Sequence, residues 1–247
     1  MFLFAKRNIK EILRDPINLF FGLGFPLVLL ALLSIINSAI PPEAKNTMFQ
    51  INNLAPGLTM FGSVFMALFA GMLLSKDRTS SFLTRLFTSP MTATDFILGY
   101  TFPMIIMTVV QASITLLVAG IFGLDINTNI ILAIIITALT SLLFIGTGLF
   151  FGSLLNEKAV GGVCGALLTN IAGWLSGVFI PINLIGGAFK AITNILPFYH
   201  SVEAIKLSLN GDFSNILPHL GIVMGYTSII FVFAIITFNR KMAGEKA

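Results

Sequence analysis

The side chains able to do covalent or metal chemistry in this chain are few and scattered. His200 and His219 are its two histidines, and Cys164 is its one cysteine. A zinc site normally takes three or four protein ligands. The histidines have no further ligand at metal spacing, so they read as structural or interfacial groups. Cys164 lies within an apolar run, reads as a small packing residue, and alone excludes an intrachain disulfide. No phosphate-binding G-x-x-x-x-G-K-[ST] loop, dinucleotide fingerprint, G-x-S-x-G or H-E-x-x-H occurs, and no apolar stretch holds a carboxylate pair. What remains is the chemistry of docking. Within Thr79–Ser89, Phe82, Leu83, Leu86 and Phe87 fall on one helical face. Arg78, Thr84, Arg85 and Thr88 supply the polar character, and Pro90 ends the element. Such a short amphipathic helix either lies on lipid headgroups or plugs into a partner's groove, and the spacing leaves both open.

The elements that must position this segment are membrane helices. Six apolar stretches carry no Lys, Arg, Asp or Glu: Ile17–Ile40, Leu58–Ser75, Phe96–Gly120, Ile130–Asn156, Ala159–Ile180 and Leu217–Phe238. Each reaches the ~17 residues that a membrane-crossing helix needs at least. Composition agrees, with 56% hydrophobic and only 10% charged residues and a mean hydropathy of +0.97. Soluble domains carry about 25% charged residues. The predicted fold class is therefore an all-α membrane protein with six transmembrane helices in one domain. Ion-coupled pumps keep ionisable groups inside the bundle; a charge-free interior points to energy supplied from elsewhere.

The net charge of +4 does not indicate a nucleic-acid partner, because the basic residues flank the apolar spans. With a cytoplasmic N-terminus, Lys6, Arg7, Lys10, Arg14, Lys76, Arg78, Arg85, Lys158, Arg240, Lys241 and Lys246 fall inside. Only Lys45, Lys190 and Lys206 fall outside. This positive-inside bias places both termini in the cytoplasm.

Three further elements follow. Residues 1–15 form an amphipathic helix, with Phe2, Leu3, Ile9, Ile12 and Leu13 opposite the basic side chains, suited to the membrane interface. Asp15-Pro16 breaks it before the first span. The run after it is too long for a signal-peptide core and lacks a small-residue cleavage site, so the segment is expected to be retained. Helices one to five then occupy 16–180, and Asn156, Glu157 and Lys158 form a short second cytoplasmic loop. Residues 181–215 stay apolar but are interrupted by Gly186-Gly187, Lys190 and Pro197. That pattern predicts a re-entrant extracellular hairpin, a candidate lid on an outer mouth. Helix six covers 216–238 and a cytoplasmic tail 239–247.

Within the spans, small residues four apart (Gly148/Gly152, Gly161/Gly165, Gly173/Gly177, Gly221/Gly225) predict close helix contacts. Asn170, beside Thr169 in span five, either lines a pathway or bonds to a neighbouring helix.

Three motifs, in order along nearly the whole chain, resemble the membrane subunit of bacterial type-2 ABC exporters. The first is Ala55-Pro-Gly57, followed by Lys76-Asp-Arg78, Phe82-Leu-Thr-Arg-Leu86, Ser89-Pro90 and Gly99-Tyr100. The second is Leu175-Ser-Gly-Val-Phe-Ile-Pro181; the third is Leu196-Pro-Phe-Tyr-His-Ser201 with Glu203-Ala-Ile-Lys206. The resemblance implies a coupling helix spanning Arg78, Ser81–Leu83, Arg85–Phe87, Ser89 and Pro90, docked on a separate ATPase. It also implies Asn156–Lys158 as a second coupling loop, and Asn170, Phe179, Pro181, Pro197, Tyr199 and Glu203 along the pathway or outer gate. Asp77 and Ser80 stand where the family often has Glu and Gly, a departure in the segment just ahead of the coupling helix.

The resemblance further implies two permease copies, most simply a homodimer, with spans one, two and five near the axis, and two copies of the ATPase. ATP and Mg would bind that partner, with no cofactor held by this chain. The plasma membrane of a bacterium or archaeon is the implied location. The exported substrate would be hydrophobic or amphipathic, such as a drug, an antibiotic or a lipid-like molecule. Polysaccharide or lipid-linked glycan export is the alternative within the family. An ATP-independent transporter would need buried titratable groups or a polar pore, and an assembly factor or membrane enzyme would need a constellation this sequence lacks.

Overall fold

The computed structural model describes residues 2–41, 49–80, 82–86, 88–180 and 182–246, and among these every regular element is helical. An N-terminal helix α1 (Phe2–Leu13) precedes the first long helix α2 (Pro16–Ala39). Asp15 caps α2 by accepting the Asn18 amide at 3.1 Å, and Pro16 takes the first helical position, where no donor is needed. The chain continues through α3 (Ile51–Thr79), α4 (Phe82–Leu86), α5 (Ala93–Ile121), α6 (Asn129–Leu154) and α7 (Glu157–Leu175). Three short helices, α8 (Ile182–Ile185), α9 (Gly187–Ile195) and α10 (Pro197–Asn210), lead to α11 (Phe213–Lys246). Six helices (α2, α3, α5, α6, α7 and α11) are long and apolar enough to cross a membrane.

The spans keep the order expected from hydropathy, but their ends move for physical reasons. α3 starts at Ile51, ahead of the apolar run, because Asn52 and Asn53 are tolerated in its first turn, and it runs on past Ser75 to Thr79. It therefore carries Asp77 within the helix. α7 stops at Leu175 instead of reaching residue 180, since Gly177 has a positive φ of 83° that a helix cannot continue.

α3 is the central column. Of its most apolar 18 residues, 89% are buried inside the chain, against 17% for α2 and α11. Its closest partner is α6, and the reason is glycine. A Cβ on Gly148 would lie 2.0 Å from the Ala67 carbonyl oxygen, and one on Gly152 would lie 2.6 Å from that of Gly71. The two backbones touch, the small-residue packing that membrane helices use in place of a hydrophobic driving force. The Gly221 and Gly225 positions meet nothing within 4 Å.

Two apolar clusters fill the bundle. One, at the α10 end, gathers Leu54, Leu58, Phe144, Val202, Ile205 and Val223. The other, at the α1 end, gathers Phe4, Phe69, Leu83, Phe96, Tyr100 and Phe238. Cys164 is fully buried, in keeping with a packing role. α10 packs between α6 and α11 and also reaches α3, so the segment after α7 is built into the bundle.

Candidate functional site at the Asp77 end

Asp77 organises this end of the molecule. The extra turn of α3 places its carboxylate inside the bundle, 1% exposed. Arg7 of α1 grips it with both arms: Nη2 donates to Oδ1 at 2.8 Å, and Nη1 donates to Oδ2. Tyr100 of α5 donates its hydroxyl to Oδ2 at 2.9 Å. A buried carboxylate is tolerated when ion-paired and hydrogen-bonded in this way. Burial alone would lower the Arg7 pKa, but the hydrogen bond and charge of Asp77 outweigh it and raise it.

The guanidinium of Arg7 also stacks over the Phe82 ring of α4, 4.4 Å from its centroid. Asn8 donates to the Gly99 carbonyl at 3.1 Å, and Phe4 sets its ring edge-on against Tyr100 and Phe96 at 4.9 and 5.6 Å. Gly99 is required there, because a Cβ would fall 2.5 Å from the Phe4 ring. At the rim, Lys76 donates to Glu11 at 3.1 Å, and that bond lowers the Glu11 pKa. Helices α1, α3, α4 and α5 are thus tied into one knot.

Arg78, one residue on, faces α6. Its guanidinium donates to the backbone carbonyls of Ser153 and Leu155, the latter at 2.7 Å, and Ser75 donates to the same Leu155 oxygen at 2.9 Å. These are carbonyls at the α6 C-terminus, where a cation also meets the negative end of the helix dipole. Asn156 then caps α7 by accepting the Ala159 amide at 2.9 Å. Arg78 and Ser75 therefore fasten the second loop to the end of α3, while Glu157 and Lys158 stay exposed.

In α4 the apolar side is turned onto the chain's own bundle. Leu83 is fully buried, and Phe82 and Leu86 pack against the cluster around Phe4. Arg85, Thr88 and Pro90 are exposed. Ser89 is half-buried, and its hydroxyl has no hydrogen-bond partner. Ser81 and Phe87 lie outside the described residues.

The residues expected along the pathway fall on α7, on the segment after it and on α10. Asn170 sits exposed on α7, in line with Gly162, Ala166 and Trp174, its amide donating to the Ala166 carbonyl at 2.8 Å. Phe179 stacks edge-on against Phe61 of α3 at 5.1 Å. Pro197 is buried at the start of α10, with Tyr199 and Glu203 half-buried beyond it. Burial and the Glu203 charge raise the Tyr199 pKa. Pro181 lies outside the described residues. His200 and His219, read separately from the sequence, meet here with their Nδ1 atoms 2.7 Å apart. Their spacing of 19 residues across two helices left no local signal. The Arg7–Asp77–Tyr100 knot was missed for the same reason: Arg7 looked like one interfacial cation among several. Among the described residues no group of three or more His, Cys, Asp or Glu is arranged to hold a metal ion.

Comparison with known proteins gives this architecture a family. A 70-residue stretch is 30% identical to nodulation protein J of Rhizobium meliloti (strain 1021) and spans 28% of this chain. It covers 27% of that protein, so the likeness to this relative is local. The family model of the ABC-2 type transporter matches residues 1–209, the region that contains the Asp77 knot and all but the last of the six long helices. This chain belongs to the ABC-2 type transporter membrane family and is a multi-pass membrane protein.

Proposed function

We propose that this chain is the transmembrane half-channel of an ATP-driven exporter for hydrophobic or amphipathic molecules. Two copies enclose the pathway, and a separate ATPase docks at the Asp77 end. The observation that carries this reading is the way α4 is held. A push on Arg85, Thr88 or Pro90 meets a helix whose inner face is locked by Leu83, Phe82 and Arg7 to Asp77 of α3. α3 is the most buried helix, so displacement at the rim is delivered to the middle of the bundle instead of being absorbed by a floppy loop. Arg78 carries the same displacement to α6 and the start of α7.

The outer surface of the protomer supports pairing. α2 and α7 both lean on α3 yet keep most of their own surface uncovered. An exposed Asn170 on α7 is costly against lipid tails, since hydrocarbon offers its amide nothing beyond the Ala166 carbonyl it already reaches. A second copy or a wetted pathway resolves that cost.

The experiment is co-purification in nanodiscs with a candidate ABC ATPase from the same genome, comparing wild type with Arg85→Glu and with the Thr88→Ala/Pro90→Ala pair. The reading expects two copies of each subunit in wild type and loss of the ATPase in the variants, with the permease itself still folded. Full retention of the ATPase in both variants moves docking away from α4. Purification of the permease alone in wild type overturns ATP coupling.

A further inference from the structure

We propose that His200 and His219 form a proton-binding site that works as a latch, holding α10 to α11 until the pair takes up its second proton. The geometry fixes the arrangement of hydrogens. His200 Nε2 lies 2.8 Å from the backbone carbonyl of Asn194, which can only accept, so this nitrogen carries a hydrogen. The Nδ1 of a neutral His200 is then an acceptor, and it lies 2.7 Å from His219 Nδ1. His219 therefore donates from Nδ1, leaving its own Nε2 unprotonated.

The first added proton goes to that His219 Nε2. It turns the N–H···N contact into a charge-assisted bond and strengthens the clasp. The second proton has one place to go, His200 Nδ1, and there it puts two donors and two positive charges face to face. The contact cannot survive that step. No bond is made or broken beyond N–H, and the protons come from solvent at the same end of the molecule as the Asp125–Asn129 turn.

The surroundings keep the site specific to this pair. On α10 the other ionisable side chains are Tyr199, Glu203 and Lys206, and the Tyr199 ring lies 5.5 and 6.1 Å from the two imidazoles. α6 carries no titratable side chain, and those of α3 (Lys76, Asp77, Arg78) sit at its opposite end. α9 offers the exposed Lys190, and α11 offers Tyr226 further along, then Arg240 and beyond at its far end. His200 is 7% exposed and is held from three sides, by Asn194 of α9, its own helix α10 and His219 of α11. Release of the pair therefore loosens the α10–α11 contact locally, while the bond to Asn194 of α9 and the packing of α10 on α3 and α6 remain. On the reading proposed above, these elements border the outer mouth, and the latch makes its opening sensitive to acid on that side.

Because the chain has only two histidines, ¹⁵N-histidine labelling of the full protein in nanodiscs reports both rings and nothing else. At pH 8 the latch requires one ring protonated at Nε2, the other at Nδ1, and a scalar coupling through the N–H···N bond. On titration to pH 5 that coupling must vanish, and amide exchange in 197–204 and 215–223, corrected for its intrinsic pH dependence, must rise by about tenfold or more. His219→Gln keeps an amide donor opposite His200 but removes the second imidazole, so its exchange should stay slow at both pH values. Coupling that is absent at pH 8, coupling that persists at pH 5, or exchange in His219→Gln that rises like wild type would each overturn the latch. None of these readouts involves transport or an ATPase, so the latch can fail while the export reading stands, and the reverse.

Discussion

Tyr100 donates its hydroxyl, at 2.9 Å, to the same Asp77 oxygen that Nη1 of Arg7 holds. One carboxylate oxygen thus joins α1, α3 and α5, and the Arg7 side chain extends the connection to α4 through the Phe82 ring. Asp77 has no comparable contact with solvent, so its partners carry the whole compensation for its burial.

Removing Arg7 should therefore be expensive. Arg7→Ala leaves a buried carboxylate with one neutral donor, and breaking such a pair costs on the order of 3 kcal/mol. Arg7→Lys should recover only part of it, because a point charge cannot span both oxygens. The Asp77→Asn/Arg7→Ala double change, which removes both charges, should be less damaging than Arg7→Ala alone. Thermal unfolding of the detergent-solubilised protein orders the three; equal losses for all of them would remove Asp77 from the centre of the knot.

Arg78 and Arg85 were equivalent as sequence, and the structure separates them. Arg78→Ala uncaps α6, and loss of hydrogen bonds from a charged donor should lower stability by ~1.5–3 kcal/mol. Arg85 is exposed, so Arg85→Ala should change stability by less than about 0.5 kcal/mol while weakening ATPase association. Paired melting and pull-down measurements check both halves, and a destabilised Arg85→Ala would contradict the assignment.

The α3–α6 crossing makes a sharp contrast among glycines. Gly148→Ala forces a methyl group against the Ala67 carbonyl and should cost at least the ~1–3 kcal/mol of an overpacked core. Gly221→Ala and Gly225→Ala face open space and should lie within about 0.5 kcal/mol of wild type. Melting temperatures of the three single variants suffice as the test.

The Glu11–Lys76 pair predicts a small pH effect with a definite sign. Hydrogen bonding to Lys76 lowers the Glu11 pKa from its ordinary 4.5. A depressed carboxylate contributes stability that is complete above its unfolded value and is lost as pH falls through the folded one. The difference in melting temperature between wild type and Glu11→Gln should thus be constant near neutrality and shrink below pH 4.5. It should also shrink in high salt, because the pair is exposed. A difference that grows on acidification would reverse the assignment.

How far the sequence could be read follows from distance along the chain. The six spans were legible because hydropathy is a local sum, and α4 was legible because its apolar face recurs within one turn. The inward direction of that face was not, since Phe82 meets Arg7 across most of the N-terminal third of the chain. Asp77 read as a loop charge because the apolar run ends at Ser75, yet the helix does not. Among the four small-residue pairs, nothing local distinguished Gly148/Gly152, which presses on α3, from Gly221/Gly225, which presses on nothing described. The two histidines share no element, so only the tertiary fold could bring their rings together.

The intimate seat of α3 on α6 also sets a schedule for synthesis. α3 is finished at Thr79, but the glycine surface that receives it is not complete until Leu154. At ~5–20 residues per second the newborn helix waits several seconds with its Thr59, Ser63 and Gly71 side unoccupied. During that interval α1 and α2 are the only earlier segments available to cover it. Pairing of Arg7 with Asp77 is possible as soon as α3 emerges. The knot at the rim is thus able to stand guard over an unfinished bundle, keeping the central helix in register until its true neighbour arrives from the ribosome.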